Sequence, residues 1–286
     1  MHIKHSCYLC KGKKFKLRKG TVRDNPNLKV IECVSCGLVF LSSFYHIYDS
    51  FYESGKMHSG EIDTDINVWL RETAWDDYRR FYYHRRLIEN KSVLDFGCGT
   101  GGFLLLAKSV ASRVVGIEPE VRLKAYFEEK QINVFSDINE LSENFDIITL
   151  FHVLEHIADP ISLLNRLKKN LNKEGHLIVE VPNANDALLT VYESDAFSKF
   201  TYWSCHLFLF TADTLSMLAK KAGLKMNYIK QIQRYPLSNH LYWLAKGKPG
   251  GHKEWHFLDS EELHKAYEKQ LASIGVCDTI LGSFYK

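Results

Sequence analysis

The sequence has no apolar run approaching the ~20 residues that a membrane-crossing helix needs. Its start, Met-His-Ile-Lys-His-Ser-Cys, lacks the apolar stretch of a secretory leader. There is no internal repeat and no low-complexity tract. Seven cysteines, an odd number in a chain of 286 residues, argue against a disulfide framework, which is a device of small oxidised domains. These absences lead us to expect a cytoplasmic protein with no membrane span.

What is present fits a globular chain. Hydrophobic residues make up 45% and charged residues 25%, enough to bury a real core. At about 150 residues per domain the length predicts roughly two domains. The net charge of +3 is unevenly spread. Residues 1–36 hold nine Lys and Arg (Lys4, Lys11, Lys13, Lys14, Lys16, Arg18, Lys19, Arg23, Lys29) against Asp24 and Glu32, so that stretch carries +7 and the remaining 250 residues −4. Such a basic patch suits nucleic acid or an anionic substrate. A solvated face would read the same way.

The pattern divides the chain into four parts. Residues 1–42 form a cysteine module with two short strands, Leu28–Glu32 and Gly37–Leu41. Residues 43–89 form a linker and helical cap, with aromatic residues at helical spacing (Trp69, Trp75, Tyr78, Tyr82). From 90 to 257 strands alternate with helices: Ser92–Phe96, Arg113–Glu118, Asn133–Phe135, Phe145–Phe151 and His176–Val181 read as strands, with helices near 103–110, 120–130 and 160–171. This alternation predicts an α/β, doubly wound, Rossmann-like parallel sheet. An aromatic segment over 186–211 interrupts it as a lid, and two final strands near 225–233 and 239–246 complete it. Residues 258–286 read as a helical tail.

Asp95-Phe-Gly97-Cys-Gly99-Thr-Gly101-Gly102 follows a strand and opens a helix. Glycines there let a ligand approach the peptide plane without meeting a Cβ. Gly97, Gly99 and Gly102 also satisfy the dinucleotide fingerprint. Asp95 distinguishes the two, because a carboxylate beside the loop repels a pyrophosphate at the helix N-terminus and suits a cationic ligand. Glu118 ends the next strand, where a carboxylate can accept both ribose hydroxyls of either ligand. At these residues the chain resembles the class I S-adenosylmethionine-dependent methyltransferases. The likeness extends through Val114-Val-Gly-Ile-Glu118, Asp137-Ile138 and Phe145–Ile157, and covers roughly 90–245. It implies that Asp137, beside Ile138, faces the adenine amino group and that Phe151 and His152 flank the methionine end of the donor.

Cys7-x-x-Cys10 and Cys33-x-x-Cys36 supply four thiolates in two knuckles, the ligand set of a closed structural Zn²⁺ site. A module of ~40 residues has too small a core to fold without such a staple. The stretch Cys33-Val-Ser-Cys-Gly-Leu-Val-Phe, with Tyr48 and Phe51-Tyr52-Glu-Ser-Gly, resembles the N-terminal module of sugar methyltransferases that act on nucleotide-linked deoxysugars. A different ribbon precedes the catalytic domain of certain ribosomal RNA methyltransferases. The expectation is therefore methyl transfer to a small, nucleotide- or phosphate-linked sugar in bacterial glycan or secondary-metabolite synthesis. The alternative is an rRNA or tRNA methyltransferase that grips RNA with the basic ribbon.

In-line methyl transfer gains most from holding donor and acceptor together, and a hydroxyl or carbon acceptor needs a base. The candidates are His206, in Trp203-Ser-Cys-His-Leu-Phe, and His156, at the cleft mouth; His152 reads as a donor neighbour. His206 corresponds in the resemblance to the base of sugar C-methyltransferases. Trp203 and Cys205 stand where that family has Tyr and Glu, so oxygen or nitrogen methylation is as much expected as carbon. The aromatic residues Tyr192, Phe197, Phe200, Tyr202, Trp203, Phe208 and Phe210 suit an acceptor platform or a core. Gln233-Arg234-Tyr-Pro and Gly247–His252 suit a phosphate handle or a surface loop.

Overall fold

The computed structural model describes residues 6–47, 51–53 and 65–286. Lys4, Tyr48, the Ser54-Gly55 end of the aromatic motif and the rest of 48–50 and 54–64 lie outside the described residues.

The main sheet has seven strands. In chain order they are β4 (Ser92–Phe96), β5 (Arg113–Ile117), β6 (Asn133–Phe135), β7 (Phe145–Phe151), β8 (Leu171–Pro182), β10 (Lys225–Ile232) and β11 (Thr279–Tyr285). They lie side by side as β6-β5-β4-β7-β8-β11-β10. From β6 to β8 the pairing is parallel, and β11 is antiparallel to both of its neighbours. Val93, Leu94, Val115, Ile148, Leu150, Ile178 and Val179 are wholly buried, as expected of strands covered on both faces. The helices α2 (Gly102–Ala107), α3 (Lys124–Lys130), α4 (Pro160–Lys169) and α7 (Ala212–Lys221) alternate with these strands. Asp159 caps α4 by accepting from Ser162 N–H, and Pro160 fills its first turn.

Two expectations at the C-terminal end need correction. Residues 239–246 belong to helix α8 (Leu237–Lys246), whose buried Ser238, Asn239, Tyr242 and Trp243 recur at helical spacing. The tail over 258–286 starts as helix α10 (Glu261–Ser273) but ends in β11, which is inserted into the sheet between β8 and β10. The run from Thr279 to Phe284 is buried at every position.

Helix α1 (Ile66–Ile88) spans the front of the sheet and buries one stripe, Asp77, Arg80, His84 and Ile88. That stripe is mainly polar, and its partners lie in the cleft described below.

The N-terminal module folds as β1 (Phe15–Leu17), β2 (Val30–Cys33) and β3 (Val39–Leu41). It is stitched into the rest of the chain. β3 pairs with β9 (Phe208–Leu209), matching Val39 with Leu209 and Phe40 with Phe208. Tyr8 bridges to α4 through the Asp159 carboxylate and the Ile161 N–H. Asp24 accepts from both the backbone and the hydroxyl of Ser204 at 2.9 and 2.6 Å. Arg23 lies over the Trp203 ring at 4.7 Å. One continuous apolar cluster runs from Leu9 and Phe40 through Phe208 and Phe210 to Leu150 and Leu215. Among the described residues no helix is long and apolar enough to cross a membrane.

Phe208 is fully buried and touches Tyr8 of the module and Phe44 just after it. Phe208→Ala should cost about 3–5 kcal/mol of unfolding free energy. Denaturant titration reads this directly, and a loss below about 1 kcal/mol would mean the module is not docked as described.

Candidate active site

A cleft of about 690 Å³ opens at the carboxyl ends of β4, β5 and β7, where ligands of open α/β sheets bind. Its floor is the glycine loop. Gly97, Gly99 and Gly101 all adopt left-handed backbone (φ +73°, +51° and +72°), which suits glycine. A Cβ on Gly97 would come within 2.5 Å of Val153, and one on Gly102 within 2.2 Å of the Asp77 carboxylate. The loop is therefore pressed against its neighbours, and Trp69, Thr73, Asp77 and Arg80 of α1 wall the cleft opposite it.

Asp95 lines the cleft from beneath the loop and is 3% exposed. Thr149 donates to it at 2.6 Å. Burial pushes the Asp95 carboxyl up to about 7, with Thr149 and Arg80 pulling down and Asp77 pushing further up. It is thus not the standing negative charge that the sequence suggests, because near neutrality it is poised between its two forms. Glu118 accepts from Gly99 N–H at 2.9 Å and Glu120 N–H at 3.1 Å, so it braces the loop while facing the cleft. Asp137 and Ile138 line the far end, where Asp137 accepts from Arg166 at 3.2 Å. Phe151, His152, Val153 and His156 line the near end with Tyr52 and Arg234.

Sequence reasoning missed the charge network behind this wall. Glu180, at the end of β8, is fully buried. Arg79 grips both of its carboxylate oxygens at 2.8 and 3.0 Å, and Arg80 donates to it twice. Burial alone would raise this carboxyl, but Arg80, His152 and Arg79 outweigh it and hold the group well below the usual carboxylate range. Asp76 joins Arg79 to Arg234, which also donates to His152 Nε2 at 3.2 Å. The only sequence signal was charge at helical spacing on α1, which a solvated face shows equally. The Gly247–His252 loop lies away from the cleft, and His252 Nδ1 sits 3.3 Å from Asn239 Oδ1.

The two histidine candidates come together, with ring centroids 5.0 Å apart. His156 lines the cleft, and its Nδ1 is 2.9 Å from the Cys205 carbonyl. His206 packs edge-on behind it and against Trp203, and does not line the cleft. The aromatic segment over 186–211 is not an open lid. Phe197 and Phe200 pack on Trp243, Tyr202 is buried, and Phe208 and Phe210 join the core shared with the module. None of these side chains lines the cleft.

The cysteines meet as two pairs, with Sγ separations of 3.7 Å for Cys7–Cys36 and 3.5 Å for Cys10–Cys33. Four thiolates at about 2.3 Å from a tetrahedral Zn²⁺ would be ~3.75 Å apart, so the set fits that ion.

A doubly wound seven-stranded sheet, a pressed glycine loop and acidic strand ends define a class I S-adenosylmethionine-dependent methyltransferase. Residues 70–229 match a family described as a methyltransferase domain, and the chain belongs to that family. It is similar to a ubiquinone biosynthesis O-methyltransferase of Acinetobacter baylyi, at 29% identity over 57% of this chain and 74% of that protein. It is also similar to a tRNA U34 carboxymethyltransferase of Pseudoalteromonas translucida, at 27% identity over 61% of this chain and 55% of that one. The match thus spans about half the length of that tRNA enzyme. Among solved structures, a SAM-dependent methyltransferase of Thermotoga maritima superposes with TM-score 0.51 at 19% identity over 85% of this chain and all of that one. One of Archaeoglobus fulgidus gives 0.50 at 19% identity over 76% of this chain and 99% of that one. These two agree in fold.

A cationic donor prefers the ionised form of Asp95. Its affinity should therefore rise with pH up to about 7 and level off above, falling by up to tenfold per unit on the acid side. Calorimetric titration with the donor between pH 5.5 and 8.5 checks this. Asp95→Asn should flatten the profile.

Proposed function

We propose that this chain methylates a hydroxyl of a small polar acceptor seated between His156, Tyr52 and Arg234, with the four cysteines holding a structural Zn²⁺. S-adenosylmethionine supplies the methyl group as a sulfonium. In this reading Asp95, Gly97, Gly99, Gly101 and Glu118 hold the donor, Asp137 and Ile138 meet its adenine, and Phe151 and His152 flank its methionine end. The observation that carries it is the cleft itself. Its 690 Å³ lies within the roughly 300–1,000 Å³ of small-molecule sites. Donor-type groups line one end, and a histidine, a tyrosine and an arginine line the other.

His156 is the residue we assign to the acceptor oxygen. The Cys205 carbonyl fixes its ring by accepting from Nδ1, which leaves the Nε2 lone pair free. Burial lowers the basicity of the ring, keeping it neutral and able to accept a proton at physiological pH. His206, packed edge-on against it, orients the ring. The sugar assignment rests on the residues of the N-terminal module alone, since neither relative is named for a sugar.

A second reading has specific support. Relatives named for tRNA favour the RNA alternative over the sugar, and Lys13, Lys14 and Lys29 are exposed on the module. Much of the basic stretch is engaged internally, however: Lys16 and Arg18 with Glu32, Lys19 with Asp195, and Arg23 with Trp203.

A donor-turnover assay over nucleotide sugars, catechols and total tRNA, with the product mapped by mass, separates these readings. The expected result is methylation of a small hydroxyl acceptor, with His156→Ala and His206→Ala each lowering turnover by at least about 100-fold while donor affinity changes little. Methylation of tRNA that weakens steeply with salt would replace this reading with the second. For the cysteines, Cys33→Ser should release zinc and destabilise the fold. Retention of a full equivalent would reject the four-thiolate site.

A further inference from the structure

Glu155 lies in the turn between β7 and α4 and is wholly buried. Neither of its carboxylate oxygens has a hydrogen-bond partner. His152 Nδ1 faces Oε1 at 3.3 Å, and this contact with the nearby His156 and His206 outweighs burial and holds the carboxyl below its ordinary range. Oε2 has no such neighbour, and a buried carboxylate oxygen left without a donor or a cation is costly, so native structures seldom leave one in this state.

The surroundings supply what a cation would need. One ring nitrogen of His156, one of His206 and a Glu155 oxygen all lie within 4.8 Å of one another. The Cys205 carbonyl holds the His156 Nδ1 proton, the arrangement that orients a metal-binding imidazole and leaves its other nitrogen free. His206 Nδ1 is likewise buried and without a partner. Ligands at about 2.0–2.2 Å from a tetrahedral ion would be ~3.4 Å apart, which side-chain rotation can achieve from the separations seen.

We infer that Glu155, His156 and His206 form a second metal site, distinct from the four cysteines, that takes a divalent first-row transition ion such as Zn²⁺ or Co²⁺. Two imidazoles and one carboxylate suit such ions, whereas Mg²⁺ and Ca²⁺ prefer all-oxygen shells. Three protein ligands leave a coordination position open, and His156 is the one of the three that lines the cleft, so an acceptor would reach the ion from that side. This deepens the function proposed above and rests on it only for the chemistry. An ion held there would make a hydroxyl bound to it give up its proton to water more readily. Its oxygen would then form the new C–O bond as the C–S bond of the donor breaks, with that electron pair staying on sulfur. With the ion bound, the free nitrogen of His156 would hold the metal, so activation by the ion would replace the proton-accepting role given to His156 above and keep the small hydroxyl acceptor. The fold supports such a site, because the segment bearing His206 is held on one side by Asp24 and on the other by the β3–β9 pairing.

The test uses the full-length chain, wild type and the variants Glu155→Gln and His206→Ala, each reconstituted with Zn²⁺ or Co²⁺. Mass spectrometry of the metal should count one zinc equivalent more in the wild type than in either variant. With Co²⁺, the wild type should show visible d–d bands of nitrogen and oxygen ligation beside the thiolate charge-transfer bands. Both variants should keep only the thiolate bands. Each variant should bind the donor with unchanged affinity, which confirms that it is folded. Added Zn²⁺ should raise the melting temperature of the wild type more than that of Glu155→Gln, because an ion that binds only the native state stabilises it. Equal metal content and equal spectra across the three proteins would overturn the site. These readouts need no acceptor, so an ion that binds without any turnover of a small hydroxyl acceptor would instead reject the function proposed above.

Discussion

The cleft depends on one buried carboxylate. Glu180 ends the strand next to β7, and Arg79 and Arg80 reach it from α1, about one hundred positions earlier in sequence. Removing either kind of partner would leave an uncompensated charge in the interior, and breaking buried pairs of this sort typically costs about 3–5 kcal/mol. The pairing fixes the rotation of α1, because two adjacent arginines must converge on a single acceptor. Once α1 is fixed, Trp69 and Asp77 close over the glycine loop, and Asp76 turns Arg234 towards His152. The same contact therefore shapes the donor end and the acceptor end of the cleft.

A second constraint comes from the N-terminal module. It cannot be a free appendage, because its third strand is completed by residues from beyond β8. The hydrogen bonds to Ser204 and the Arg23–Trp203 contact lie just before His206, and the β3–β9 ladder lies just after it. Backbone order on both sides confines the histidine, which a loop alone would not do. The four cysteines thus influence the cleft at a distance, through strand pairing rather than through chemistry of their own.

The parallel strands from β4 to β8 were legible because each is a short apolar run bounded by a turn. The glycine loop was legible because its spacing is dictated by backbone conformation. What could not be read was the exchange of strand and helix near the C-terminus. Leu237–Lys246 mixes aromatic and aliphatic residues in a way that suits either period. β11, meanwhile, contains glycine and serine that weaken its strand signal although the sheet buries them. The role of α1 was hidden for a different reason. Asp76, Asp77, Arg79 and Arg80 resemble a solvated face until Glu180 is known to lie beneath them. In the same way the sequence named both histidines, but only depth in the fold separates the one that lines the cleft from the one packed behind it.

The protonation of Asp95 refines the electrostatic argument for donor choice. A permanent buried carboxylate would be costly in the free protein, and a permanently neutral one would not distinguish a cation from a pyrophosphate. A group poised near neutrality avoids both problems. Without ligand it can keep its proton in the dry floor of the cleft, sharing the Thr149 hydroxyl. When a cation arrives the proton leaves, and charge enters the interior as a pair rather than singly. A pyrophosphate gains nothing from that release, whereas the Glu118 carboxylate, held by the Gly99 and Glu120 amides, suits the ribose of either ligand. Selectivity therefore falls to the acid below the loop and ribose binding to the braced one beside it, and both are set by the backbone that the glycines make possible.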